Sequence, residues 1–357
     1  MEYLDDYQHA RREFLAAATA SGGMLRSIQH PLRDPEGERI YVDVAWLGRV
    51  TAPKVLMVVS GVHGIEGLCG SNVQTTLLAS QAIATRSDDV ALCVVHALNP
   101  FGVAWCRRAN EDGVDLCRNF LDFAAPLPSN PQFAEVVDLL VPSEITGASR
   151  DQADAALTAF VEKHGDKDAL SIINRGQYDF WHAPFFGGHR ATWSNLIFRR
   201  IVREHLQHAH AIACVDVHTG LIEHGRGELL CFHQPGTDAM ALARRTWGST
   251  VRAVFGGESS AYPLTGGIMQ SLEEQLSGRL KLAAAHEFGT TDTATRRNAL
   301  RSDHWLWYRG NPCSADAKPF RTAMKDAYYP PSDEWRRKVW VQAELALQQA
   351  LGTLTAL

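Results

Sequence analysis

From Val55 to Ser60 the chain carries no charged residue, then breaks on Gly61 and presents His63 and Glu66 within one short turn. An uninterrupted apolar run rich in valine suits a strand covered on both faces, so it commits the chain to a sheet with a layer on each side. Gly61, Gly64 and Gly67 let the backbone turn sharply beyond the strand. Imidazole nitrogen and carboxylate oxygen are both zinc ligands, and two ligands on one turn cost little chain entropy to bring together. Alone, the pair also fits a loop histidine beside a solvated glutamate, because 15 histidines make this spacing common by chance.

A second apolar run, Ala211 to Val217, repeats the design and ends on His218, Thr219 and Gly220. His63, Glu66 and His218 together make three protein ligands. That number leaves one position open, as a catalytic zinc requires, whereas a structural zinc is closed by four protein groups. No Cys-x-x-Cys pair occurs, so a thiolate structural site is not expected. The group His205, His208 and His210 reads as the polar end of a helix.

Strands alternating with amphipathic helices predict an α/β fold, three layers (α/β/α) around a central mixed, mostly parallel sheet. Helices are predicted within residues 1–25 and at 72–85, 192–208, 236–247 and 332–353, and strands within 39–60 and at 90–98. Residues 122–177, with Pro126, Pro128 and Pro131 and helical patches near 132–141 and 151–164, read as an insertion packed over the sheet. The aromatic stretch from Tyr178 to Phe186 fits either a cleft lining or simple packing. A single domain over residues 1–357 is expected, since 45% hydrophobic content supplies a large core.

Composition narrows the function classes. A net charge of −5 gives no reason to expect nucleic acid. No apolar stretch approaches the length needed to span a membrane. Met1 to Tyr7 is acidic and does not read as a secretory signal. Seven scattered cysteines read as reduced thiols, so a cytoplasmic protein is expected. Nothing specifies an oligomeric state.

Between the two strands lie Asn99, Pro100 and Gly102, then Arg108, Asn110, Gly113, Asp115, Cys117, Arg118, Asn119 and Phe120. Further on come Tyr262, Thr265, Gly266 and Gly267, then an apolar run ending in His286, Glu287, Phe288 and Gly289. From about Lys54 to Thr290 this order of motifs resembles the zinc carboxypeptidase (M14-like) superfamily. The overall pattern is similar to an uncharacterised bacterial branch, DUF2817. Asp216, His218 and Thr219 are also similar to the aspartoacylase and succinylglutamate desuccinylase branch.

The resemblance implies a role for each matching residue. His63, Glu66 and His218 would bind one Zn2+ per chain, and Glu287 would be the general base. Arg108 would stabilise charge on the scissile carbonyl, with Arg107 as the fallback if the alignment slips by one. Arg118 would bind a substrate carboxylate and Tyr262 would close over it. Asp115 would accept a hydrogen bond from the first zinc histidine. Asp216 either does the same for His218 or caps a turn. Cys117 stands where the family has asparagine, and a thiol is the poorer hydrogen-bond donor. Met269 falls at the floor of the pocket for the terminal side chain, and an uncharged floor disfavours basic residues.

The implied activity is zinc-dependent hydrolysis of an amide bond beside a carboxylate, on a peptide or on an N-acyl amino acid. A metal-binding protein without catalysis is the other class.

Overall fold

The computed structural model describes residues 1–357 except Ser260 and Tyr262, so the expected role of Tyr262 lies outside the described residues. Eight strands form one sheet: β1 (Met24–Arg33), β2 (Arg39–Leu47), β3 (Lys54–Ser60), β4 (Val90–His96), β5 (Ala211–His224), β6 (Gly227–Cys231), β7 (Val251–Ala253) and β8 (Leu280–Gly289). Their order across the sheet is β1-β2-β4-β3-β5-β8-β6-β7. The pairs β4–β3, β3–β5, β5–β8 and β6–β7 are parallel and the rest antiparallel. The sheet is therefore mixed, with the parallel run β4-β3-β5-β8 at its centre and a further parallel pair, β6–β7, at one edge.

Side chains of β3 alternate between two cores. Leu56 and Val58 join the core on one face, and Val55, Met57 and Val59 join the core on the other. All of these are 0% exposed. Each such side chain contributes roughly 1.5–3 kcal/mol by leaving water, which explains why a doubly apolar strand sits mid-sheet. Helices Tyr7–Ala20, Gly67–Leu78, Asp238–Trp247 and Asp333–Ala356 cover the first face. Helices Trp193–His205 and Ile268–Leu276 cover the second. The helix Asp333–Ala356 buries Trp335, Val339, Leu347 and Leu354, so it closes one face of the core and is not a peripheral addition.

Three expectations need correction. β1 was not expected, and it overlaps the region read as the first helix only at Met24 and Leu25. It is an edge strand with one fully buried residue, His30, and its many polar residues give no periodic signal. The helix expected from Ser71 begins at Gly67, and a separate short turn of helix, Gln81–Ala84, follows it. The segment 122–177 is helical at Gly147–His164 and Asp166–Asn174 but does not lie over the sheet. It forms its own apolar cluster, including Phe133, Leu140, Leu157, Phe160 and Ile172, against Trp305. Arg301 ties it down by donating to the carbonyls of Leu139 and Leu140.

No helix among the described residues is long and apolar enough to cross a membrane. The cysteines are all free thiols.

Candidate metal centre

The central strands end side by side. Val59 of β3 pairs with Asp216 of β5, and His218 of β5 pairs with Glu287 of β8. The carboxyl ends of parallel strands are the usual place for a ligand crevice in an open α/β sheet. Beyond β3, Gly61 at φ +68° starts the turn. Gly64 then lies so close to Gly102 and Arg107 that a Cβ would sit 2.2 Å from the Gly102 carbonyl carbon. With that clearance, Gly64 N–H donates to the Arg108 carbonyl and Ile65 N–H to the Arg107 carbonyl. The metal-ligand turn and the arginine segment are thus pinned together by backbone.

His63 and His218 both aim Nδ1 at Glu66. His63 Nδ1 lies 3.1 Å from Oε1 and His218 Nδ1 2.9 Å from Oε2. The two Nδ1 atoms are 3.2 Å apart. Glu66 is 1% exposed, and its Oε2 also accepts from Thr219 N–H at 3.1 Å. The outward nitrogens are held as well: His63 Nε2 is 3.1 Å from Asp115 Oδ1, and His218 Nε2 is 2.6 Å from Asp216 Oδ2. A carboxylate behind each imidazole fixes the tautomer that leaves Nδ1 free. Two imidazole nitrogens and a carboxylate converging in this way fit a divalent transition metal such as zinc.

Charge follows the geometry. Burial works against the charged form of both histidines. At His63 the neighbouring Arg108 opposes it too, yet the coulombic influence of the Cys117 sulfur and of the Glu66 and Asp115 carboxylates prevails and raises it to about 10. Asp216 and Glu66 likewise outweigh burial and hold His218 well above its ordinary range. Glu66 and Asp115 are held below theirs despite burial, Glu66 chiefly by His63 and Asp115 chiefly by Arg118 and Arg108. Glu287 moves the other way, up to about 7, from burial and the negative charge of Glu66. Its Oε1 accepts from Leu221 N–H at 2.8 Å.

Arg108 reaches Glu66 Oε1 at 3.0 Å, Asp115 Oδ2 at 3.1 Å and His63 Nε2 at 2.8 Å. A His63 that presents Nδ1 to a metal carries its proton on Nε2 and donates it to Asp115. Arg108, which has only donors, cannot then bond that nitrogen. Arg107 is a different kind of residue: 2% exposed, it pairs with Asp303 and stacks on Trp307.

Arg118 Nη1 donates to Asp115 Oδ2 at 3.1 Å and Nη2 to the Asn174 carbonyl at 2.5 Å. Its guanidinium is therefore engaged by the 122–177 segment. Phe185 lies over both Arg108 and Arg118, and Tyr178 donates to the Arg118 carbonyl, so the aromatic stretch lines this site. Met269 is 3% exposed and packs in the same core cluster as Cys117. Cys117 Sγ lies within 4.8 Å of ligand nitrogens of His63 and His218.

Tyr328 was not foreseen. It is the last residue of the helix Lys318–Tyr328, which shows no unusual motif, and only the fold brings it here. Its carbonyl accepts from Thr219 Oγ1, and its ring touches Gly220. Burial raises its hydroxyl to about 12, among the charges of Arg108, Glu66, Arg296 and Glu287. A groove of about 410 Å³ lined by Met24, Trp46, Thr51 and His205 lies at the opposite end of the central strands and has no part in the site.

Solved structures of similar fold include carboxypeptidases. The carboxypeptidase A from Helicoverpa armigera superposes with a TM-score of 0.50 at 13% identity, over 98% of this chain and 74% of that one. Bovine thrombin-activatable fibrinolysis inhibitor in complex with tick carboxypeptidase inhibitor gives 0.51 at 10%, over 99% and 98%. A metallo-carboxypeptidase from Burkholderia cenocepacia gives 0.50 at 12%, over 99% and 71%. At these identities the likeness concerns the fold. No curated protein sequence matches. A family described as "Protein of unknown function (DUF2817)" matches residues 3–342, and the chain, carboxypeptidase-like in fold, belongs to that family.

Proposed function

We propose that the protein is a metal-dependent hydrolase that cleaves an amide bond beside a carboxylate, acting as a metallocarboxypeptidase with zinc held by His63, Glu66 and His218. The observation that carries this reading is the register of β5 and β8. It sets Glu287, a buried carboxylate with a raised pKa, directly across from His218. When bound, zinc supplies Lewis acidity toward water and toward the scissile carbonyl.

Glu287 accepts the proton of the attacking water and delivers it to the leaving amine. A bound cation would draw its pKa down from about 7, which keeps the base ionised near neutral pH. Arg108, once the tautomer of His63 excludes it from Nε2, turns to the oxygen that gains negative charge. Arg118 exchanges the Asn174 carbonyl for the substrate carboxylate, a planar two-point partner for its guanidinium. Met269 at the pocket floor disfavours basic terminal residues.

The contact of Arg118 with Asn174 also supports a second reading, deacylation of small N-acyl amino acids, because the segment 122–177 crowds the carboxylate subsite. The two readings separate when zinc-loaded protein is offered peptides with free C-termini and a panel of N-acyl amino acids. Release of C-terminal residues, with Leu or Phe preferred to Lys by kcat/KM, supports the peptidase. Turnover of the N-acyl panel alone supports the deacylase. No turnover of either, with zinc bound, overturns the hydrolase reading.

A further inference from the structure

Cys117 occupies the short turn Leu116–Arg118, and its backbone N–H donates to Asp115 Oδ1 at 3.0 Å. The same oxygen lies 3.1 Å from His63 Nε2. One buried carboxylate therefore fixes both the first histidine and the backbone that carries the thiol. The sulfur, on a residue 8% exposed, comes within 4.8 Å of ligand nitrogens of both histidines. A tetrahedral zinc with nitrogen at about 2.0–2.1 Å and sulfur at about 2.3 Å needs those donors roughly 3.3–3.6 Å apart. Coordination therefore requires the Cys117 sulfur to approach the two histidine nitrogens more closely than this 4.8 Å bound.

We propose that Cys117 binds the metal directly in the substrate-free protein, as a fourth protein ligand beside His63, Glu66 and His218. The inference rests on the metal reading above and goes beyond it. With asparagine at this position the site keeps an open place; with cysteine it holds four protein donors, including a soft thiolate that zinc favours. Binding through sulfur would release the thiol proton to solvent, and hydrolysis would require Cys117 to give up that position, so the resting site would be gated by ligand exchange at Cys117.

Cobalt(II) separates the possibilities. Metal-free protein is loaded with Co2+ and its absorption spectrum recorded, since a thiolate ligand adds an intense near-ultraviolet charge-transfer band that nitrogen and oxygen donors do not. The native protein should bind one cobalt per chain and show both visible bands and the charge-transfer band. Cys117→Ser and Cys117→Asn should keep the cobalt and the visible bands but lose the charge-transfer band, and zinc affinity should fall at least about tenfold. Cys69→Ala, which removes the buried thiol on the neighbouring helix, should leave the spectrum unchanged.

Visible bands without charge transfer in the native protein would overturn the role of Cys117 and leave the three-ligand site standing. No cobalt binding at all would overturn the metal reading itself. If both Cys117 variants fail to fold, alkylation of the native protein decides. Bound zinc should protect Cys117 from iodoacetamide relative to metal-free protein, as read on the Cys117 peptide by mass spectrometry. Equal labelling with and without zinc would refute the coordination.

Discussion

Asp216 Oδ2 lies 2.6 Å from His218 Nε2, two residues along the same strand and on the same side of the sheet. The alternation of a strand makes this pairing local, while the nitrogen at the other edge of the ring faces Glu66. Asp216 therefore orients His218 and does not cap a turn. Asp216→Asn should weaken zinc binding by about 10–100-fold while leaving the stoichiometry at saturation unchanged. A competitive chelator titration reads this, and an unchanged affinity would show that the contact is idle.

Removing a ligand itself is more severe. His63→Ala or His218→Ala, each combined with Cys117→Ser so that the thiol cannot substitute, leaves two protein ligands, too few to hold zinc tightly. Elemental analysis of either purified variant should find no stoichiometric zinc, and circular dichroism should find the fold intact because neither histidine belongs to the hydrophobic cores. Stoichiometric zinc in both variants would sink the assignment.

Glu287→Gln separates metal binding from chemistry. Glutamine keeps the shape and can still accept from Leu221 N–H, but it cannot take a proton. Zinc content should be normal, and turnover of whichever substrate is found should fall by a factor on the order of 10² to 10⁴. Near-normal turnover would place the base elsewhere.

A pH prediction follows from His96, at the end of β4. It stacks on Phe14 with ring centroids 4.4 Å apart, and its Nε2 lies 3.0 Å from Ser71 Oγ. Burial lowers its pKa from 6.5 to about 4. The unfolded chain binds this proton below about 6.5, whereas the folded protein refuses it until about 4. The contribution of neutral His96 is therefore complete above pH 6.5 and is lost as the pH falls toward 4, by roughly 3 kcal/mol in total. Urea unfolding between pH 7 and pH 4.5 should show His96→Gln losing about 2–3 kcal/mol less than the native protein over that interval. Equal losses in the two proteins would refute it.

Several features were legible in the sequence because they are local. The run Val55–Ser60 is apolar at every position until its last residue, so both faces of β3 had to be covered, and the two cores bear this out. His63 and Glu66 are within one turn, and Asp216 and His218 within one strand, so spacing singled out each pair, while the loop reading of the first and the turn-cap reading of the second stayed open until the strands were placed. β1 was not legible because an edge strand facing solvent buries too little to leave a pattern.

What the tertiary structure decided depends on strand order and on long-range closure. The meeting of His63, His218 and Glu287 follows from β3, β5 and β8 lying side by side, which no single segment encodes. The engagement of Arg118 by Asn174, the approach of Tyr328 and the position of Cys117 are contacts between segments far apart in the chain. Residue type and spacing determine which groups have the chemistry to hold a metal. Only the packing of the sheet determines which of them reach the same point.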